Sequence, residues 1–225
     1  MTQDRNTRSS TLPNLSIKNF TTTQDYADTF EQMKNFTLNR DGDTQDEIWI
    51  LQHNDVLTQG IAGKAEHILM PMSDLPVVQT DRGGQVTWHG RGQLVVYFLL
   101  DLNRLKWHVR DLVDFAENMM IWLCQQYGID SYAKKDAPGI YVGERKIGSL
   151  GFKIRRGRSY HGFALNVNCE LTGFQTINPC GYAGLEMVRL CDLNNENLSF
   201  QTLAEQCQQY IASQNIYQQV QFETI

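Results

Sequence analysis

Arg82-Gly83-Gly84-Gln85-Val86-Thr87-Trp88-His89-Gly90-Arg91-Gly92-Gln93, running straight into Leu94-Val95-Val96-Tyr97-Phe98-Leu99-Leu100, is the stretch on which the reading of this chain turns. Val86, Trp88 and the seven apolar residues after Gln93 have strand character, so the glycines stand between strands or at their ends. A glycine pair lets backbone approach a ligand closely, because no Cβ intervenes. Arg82 supplies a fixed charge on a fork of donors. His89 is followed by the small Gly90, which leaves it accessible. The competing reading is a glycine-rich hairpin around a structural histidine. Four glycines, an arginine and a histidine within twelve residues are poor packing material for it. The stretch reads as a pocket wall.

Around this segment the hydrophobic pattern gives a helix over 23–39 from Tyr26, Phe30, Met33 and Leu38, with Thr23 as its N-cap. Strands are expected at Glu47–Leu51, Pro76–Gln79 and Leu94–Leu102, with a loop at His53–Ala65. Val109–Tyr127 is the clearest helix, its face formed by Leu112, Val113, Ala116, Met120 and Leu123, with Gly128 just past its end. From Gly139 the pattern becomes a meander. Ile140–Val142, Ile147–Ile154 and Ser159–Val167 are strands, Gly143–Lys146 and Arg155–Arg158 turns. Leu198–Ala212 reads as a closing helix. The expectation is one α+β domain over 15–225, a mixed or antiparallel sheet with flanking helices, after a loose tail over 1–14.

The chain has 225 residues, enough for one sizeable core, and a formal net charge of −5, which argues against general nucleic-acid binding. It holds no apolar run near the roughly 18 residues of a membrane span, and Met1–Asn14 lacks the apolar stretch of a secretory signal. Five cysteines and no export signal point away from a disulfide framework and toward the cytoplasm. There is no Cys-x-x-Cys or His-x-x-x-His spacing, so no metal is expected, even with His89, His161 and Cys180 free to meet in space. A monomer without a cofactor is expected.

Cys124 and Cys207 lie on helix faces, where cysteine is an inert small hydrophobe. Cys180 differs. Pro179 and Gly181 place it on an irregular, exposed loop, where function concentrates. An ordinary thiol is only about 3% ionised at pH 7, and activating it takes roughly 2 kcal/mol from a neighbouring cation. Lys146, between Gly143 and Gly148, is one such cation, but Arg145 is just as basic, and a solvated turn lysine is the plainer reading by residues alone.

Arg82-Gly83-Gly84-x-x-Thr87-aromatic-His89-Gly90-x-Gly92-Gln93 resembles the signature of the lipoyl(octanoyl) transferases, or octanoyl-[acyl carrier protein]:protein N-octanoyltransferases. Further blocks are similar to that family in its own order: Thr58-Gln59-Gly60, Asp136-Ala137-Pro138-Gly139-Ile140-Tyr141-Val142, Lys146-Ile147-Gly148-Ser149-Leu150-Gly151, His161 to Asn168, and Asn178-Pro179-Cys180-Gly181. Together they span about Asn35 to Leu190. The resemblance implies the catalytic fold shared by lipoate and biotin protein ligases. It implies that Cys180 is an acyl-thioester nucleophile and Lys146 its activator. It implies a substrate pocket of Arg82, Gly83, Gly84, Gln85, Val86, Thr87, Trp88, His89, Ser149, Leu150, Gly151, Gly162, Phe163 and Ala164. Octanoyl-acyl carrier protein is then the donor. Lipoyl domains of 2-oxoacid dehydrogenase complexes and the glycine cleavage H protein are the acceptors, and no ATP is required.

Two departures stand out. The family often has a proline pair where this chain has Asn54-Asp55 after His53, which loosens that loop. Gly148 replaces a larger residue and is expected to alter pocket shape. The basic run Lys153, Arg155, Arg156 and Arg158 is a solvated turn that discourages edge pairing, or a docking patch beside the site for an acidic carrier. The alternatives in function are an ATP-dependent lipoate or biotin ligase on the same fold, which needs no nucleophilic cysteine, and a non-catalytic module that binds carrier or lipoyl domains.

Overall fold

The computed structural model describes residues 12–69, 75–194 and 198–225. In chain order the elements are β1 (Asn14–Asn19), α1 (Tyr26–Asn39), β2 (Asp46–Leu51), β3 (Val56–Gln59), β4 (Val77–Gln79), β5 (Val86–His89), β6 (Gln93–Leu99), α2 (Leu102–Leu105), α3 (Val109–Gln125), β7 (Tyr132–Lys134), β8 (Ala137–Val142), β9 (Arg145–Arg155), β10 (Arg158–Asn166), α4 (Thr172–Gln175), α5 (Phe200–Ser213) and β11 (Gln219–Thr224). Short 3₁₀ turns sit at Ala65–His67, Pro179–Gly181 and Leu190–Asp192.

An eight-stranded mixed sheet runs in the order β11-β1-β2-β6-β10-β9-β8-β7, and a small second sheet in the order β4-β3-β5. β1 is parallel to both neighbours, whereas β2 through β7 in that order pair antiparallel. β6 is buried throughout, and apolar from Leu94 on, because helices cover both of its faces. Leu94, Val96 and Phe98 pack with Leu112 and Ala116 of α3 and Leu203 of α5. Val95, Tyr97 and Leu99 point the other way, onto Tyr26, Phe30 and Met33 of α1. Both faces of β6 are thereby anchored, which fixes the floor on which the site is built.

The expected α+β class and mixed sheet are present. Several local expectations are corrected. Asp25, not Thr23, caps α1: its carboxylate accepts from the Asp28 N–H at 3.0 Å, while the Thr23 hydroxyl donates to Asn54. The stretch expected as loop at 53–65 contains β3, whose edges are satisfied by β4 and β5. The strand after Gln93 stops at Leu99, because Asp101 caps the short α2 by accepting from the Arg104 N–H. β9 begins at Arg145, so Lys146 is a strand residue rather than part of a turn. β1, β7 and β11 lie outside the sequence expectations: β1 starts at Asn14, and residues 1–11 of the expected tail fall outside the described residues.

The Arg155–Arg158 turn is tight, with Arg156 at φ 52° and Gly157 at φ 76°, the left-handed pair that a two-residue hairpin turn requires. No helix of the described residues is long and apolar enough to cross a membrane.

Candidate active site

Cys180 sits in the middle of the Pro179–Gly181 turn with φ 57° and ψ 17°. A left-handed conformation is strained for a residue with a Cβ, by about 1–2 kcal/mol, and such strain is retained where the surroundings over-determine it. Here they do. The Gly181 N–H donates to Asn178 O and the Tyr182 N–H to Pro179 O, while the Asn178 N–H donates to His67 O. Gly181, itself at φ 79°, packs against the Gln85 side chain. Downstream, the chain is stitched to β9: the Lys146 N–H donates to Glu186 O at 2.9 Å and the Val188 N–H to Lys146 O at 3.0 Å. The segment that carries the sulfur is thus tied to the strand that carries the lysine.

Lys146 is only 2% exposed. Its Nζ donates to Cys180 Sγ at 3.2 Å and to Pro138 O at 2.9 Å, and lies 5.2 Å from the Tyr141 ring centroid. Burial pulls the ammonium toward deprotonation, but the Cys180 sulfur and Tyr141 outweigh it and hold Lys146 above its ordinary value. The solvated turn lysine is therefore excluded. Cys124 and Cys169 behave as inert core thiols, pushed up by burial to about 11 and about 12, and Cys207 is raised further by the same cause.

Cys180 and Lys146 open onto a cavity of about 480 Å³, within the range of small-molecule sites. Arg82, Gly83, Gly84, Gln85, Val86, Thr87 and His89 line it, as do Ser149, Leu150, Gly151, Gly162, Phe163 and Ala164. Trp88 does not. It points away from the cavity into a satellite cluster with Phe174, Leu57 and Ile177, because side chains alternate along β5. The cavity follows β9 from Lys146 to Ile154, about 26 Å at strand rise. Val109 and Val113 of α3 also line it.

Three further sequence expectations change at this site. Gly148 faces α3, where an added Cβ would meet Met120 Sδ at 2.7 Å, so it touches the core and not the pocket. Gly162 does not make the slot by being small: a Cβ there would lie 1.8 Å from Val96 O, so it is the approach of β6 that requires glycine. The basic turn at Arg155–Arg158 stands at the opposite end of β9 from Lys146. Arg158 there donates to Arg40 O at 2.6 Å and faces Asp101.

The wall nearest α1 is polar and buried. His89 is not accessible as expected. It is 8% exposed, stacks on Tyr26 with ring centroids 5.5 Å apart, and bonds Gln93 Oε1 at 3.0 Å. His53 bonds Tyr97 OH at 2.7 Å and Gln24 O at 3.0 Å, so the Asn54-Asp55 loop is pinned rather than loosened. His161 bonds Asp81 at 3.0 Å, and the Tyr160 hydroxyl donates to the same carboxylate. Burial pushes His53 down to about 4, and lowers His89 and His161 as well, so these three imidazoles are uncharged near neutrality. Arg82 is the cation in this wall, clamped to Thr58 O, Thr58 Oγ1 and Gly83 O. The Gly83 N–H donates to Phe152 O and an added Cβ on Gly151 would sit 2.9 Å from Gly83 O, which shows that the glycines serve backbone-to-backbone docking onto β9.

Sequence reasoning missed Glu117 and Pro138, which flank Lys146, and Tyr26 and Tyr97 in the polar wall. Tyr26 was legible only as a core position on a helix face, and Glu117 is the one acidic residue on the buried face of α3, a signal that was available.

Residues 25–212 match the family model described as the lipoyl protein ligase A/B catalytic domain. The chain belongs to that family. It is 63% identical to the octanoyltransferase of Acinetobacter baylyi over 93% of this chain and 95% of that one. It is 52% identical to the octanoyltransferase of Vibrio cholerae over 89% and 92%. Among solved structures, lipoate-protein ligase A bound with ATP is similar with a TM-score of 0.71 at 13% identity, covering 96% of this chain and 89% of that one. At that identity the likeness is one of fold.

Proposed function

We infer that this chain is an octanoyltransferase, moving an octanoyl group from a donor onto a lipoyl-domain lysine through a thioester on Cys180. The observation that carries this reading is the ammonium of Lys146 at 3.2 Å from the Cys180 sulfur, on the wall of a largely apolar cavity. The Cys180 thiolate attacks the donor thioester carbonyl. A new C–S bond forms, the bond to the carrier thiol breaks, and Lys146 gives its proton to the departing thiolate. The acceptor lysine amine then attacks the Cys180 thioester. As the amide bond forms, the Cys180–carbonyl bond breaks, and the now neutral Lys146 takes the proton that the amine releases. The Cys180 thiolate and Lys146 ammonium are regenerated.

The first exchange, thioester for thioester, is near energy-neutral, and amide formation makes the second downhill. The apolar side of the cavity, Leu150, Phe152, Ile154 and Phe163, suits a medium-length acyl chain. Octanoyl-acyl carrier protein as donor, 2-oxoacid dehydrogenase lipoyl domains and the H protein as acceptors, a monomeric state and a cytoplasmic location complete the proposal.

The test is transfer to a purified lipoyl domain from octanoyl carrier protein without ATP, set beside free octanoate with ATP. The proposal expects product only from the first mixture. Product only from the second would make the chain a ligase.

A further inference from the structure

Glu117 is a carboxylate on α3 that is 4% exposed and faces no solvent partner in the mechanism above. Its Oε1 accepts from the Gly139 N–H at 3.1 Å. The carbonyl of the same peptide unit, Pro138 O, accepts from Lys146 Nζ at 2.9 Å. One amide group therefore links the carboxylate to the ammonium, and the ammonium to the Cys180 sulfur at 3.2 Å. Hydrogen bonds in series polarise one another, so a carboxylate on the N–H side strengthens the carbonyl as an acceptor. The spacing is enforced by glycine: at φ 118°, a Cβ on residue 139 would lie 2.3 Å from Gly148 O and 2.9 Å from Lys146 Cε.

We propose that Glu117 is a positioning residue: through the Pro138–Gly139 peptide it holds Lys146 against Cys180 and supplies the negative charge that Lys146 loses when the sulfur is acylated. This rests on the Cys180–Lys146 reading given above. Once Cys180 is a neutral thioester, a buried ammonium has lost its counterion, and burial without a partner drives the proton off. A lysine depressed in that way is a poor acceptor for the proton of the incoming amine. Glu117 keeps its proton affinity high enough for that task.

The charged and titratable groups facing the pair are Arg110 and Asp114 on α3, Tyr141 on β8 and Cys180 on its turn. Burial pushes the Glu117 carboxyl up, Asp114 adds to this, and the Gly139 N–H, Arg110 and Lys146 oppose it.

The experiment follows the Lys146 ¹³Cε resonance with pH in protein labelled with [¹³Cε]-lysine. Three forms are compared: wild type, Cys180→Ala, and Cys180→Ala with Glu117→Gln. Cys180→Ala stands for the state without sulfur charge. Glu117→Gln keeps an oxygen acceptor for the Gly139 N–H and removes the charge. The proposal expects Glu117→Gln to lower the Lys146 midpoint by about one pH unit; an unchanged midpoint overturns it and leaves the cysteine–lysine pair standing. A midpoint equal in wild type and Cys180→Ala would instead sink the pair while Glu117→Gln still reports on the carboxylate. If Glu117→Gln does not fold, Cys180→Ala alone decides: Lys146 ¹³Cε and the Gly139 amide must show a common lower inflection as Glu117 titrates, and its absence overturns the proposal.

Discussion

Replacing Lys146 with methionine removes the ammonium while retaining most of the side-chain volume. The contact it deletes is short, 3.2 Å, and 2% exposed on the lysine side. A unit charge pair near 4 Å is worth about 4 kcal/mol at an effective dielectric of about 20. Desolvation of both groups takes part of this back, which leaves about 2 kcal/mol for the Lys146–Cys180 contact, or roughly 30-fold in the rate at which the sulfur reacts. The assay is alkylation of Cys180 by iodoacetamide at pH 7, followed by intact mass. Cys124, Cys169 and Cys207 are buried and stay silent, and the half-exposed Cys191 is replaced by serine in both proteins. Lys146→Met should slow alkylation about 30-fold at that pH. Rates within twofold of each other would refute the reasoning, since they would mean that the ammonium does not activate the sulfur.

Two other outcomes follow from the geometry. Gly139→Ala forces a Cβ to within 2.9 Å of Lys146 Cε at φ 118°; it should cost about 1–3 kcal/mol of stability and slow Cys180 alkylation as Lys146→Met does, read by urea unfolding and the same mass assay. Acidification should destabilise the fold well above the carboxylate range. His53, held down at about 4, takes up its proton near 6.5 once unfolded. The unfolded chain thus binds the extra proton between those values, and stability is complete above about 6.5 and falls as pH drops toward 4, by about 3 kcal/mol for His53 alone. His89 and His161 shift in the same direction, whereas Asp81, held below its ordinary value, contributes only at lower pH. A urea midpoint that stays flat from pH 7 to 5 would contradict this, and His53→Gln should reduce the slope.

The fold's central strand was legible because an unbroken apolar run means cover on both faces, and Leu94–Leu100 has that cover from α1 on one side and α3 and α5 on the other. The turn that carries Cys180 was legible from Pro179 and Gly181, which mark irregular backbone. Lys146 was not separable from Arg145 by residue type; its burial comes from tertiary placement, since β9 starts one residue before it and the Glu186–Val188 backbone closes over it. β11 escaped because a mostly exposed edge strand such as Gln219–Thr224 carries little apolar alternation, and β1 because it is short and offers only Leu15 and Ile17 as alternating apolar positions. The glycines misled in the opposite way. Gly148, Gly151 and Gly162 suggest empty space, yet each is required by close packing of a neighbouring strand, loop or helix. His89 looked accessible beside Gly90, but α1 lays Tyr26 directly on its ring.

Sulfur at Cys180 is expected to take up the acyl group before the acceptor does. Intact-protein mass spectrometry after mixing with octanoyl carrier protein, in the absence of any acceptor, tests this most directly. The expected result is an octanoyl adduct on the wild-type chain that hydroxylamine removes, that a lipoyl domain discharges, and that Cys180→Ala never forms. An adduct of the same size on Cys180→Ala, or efficient transfer to the lipoyl domain by that variant, would contradict it.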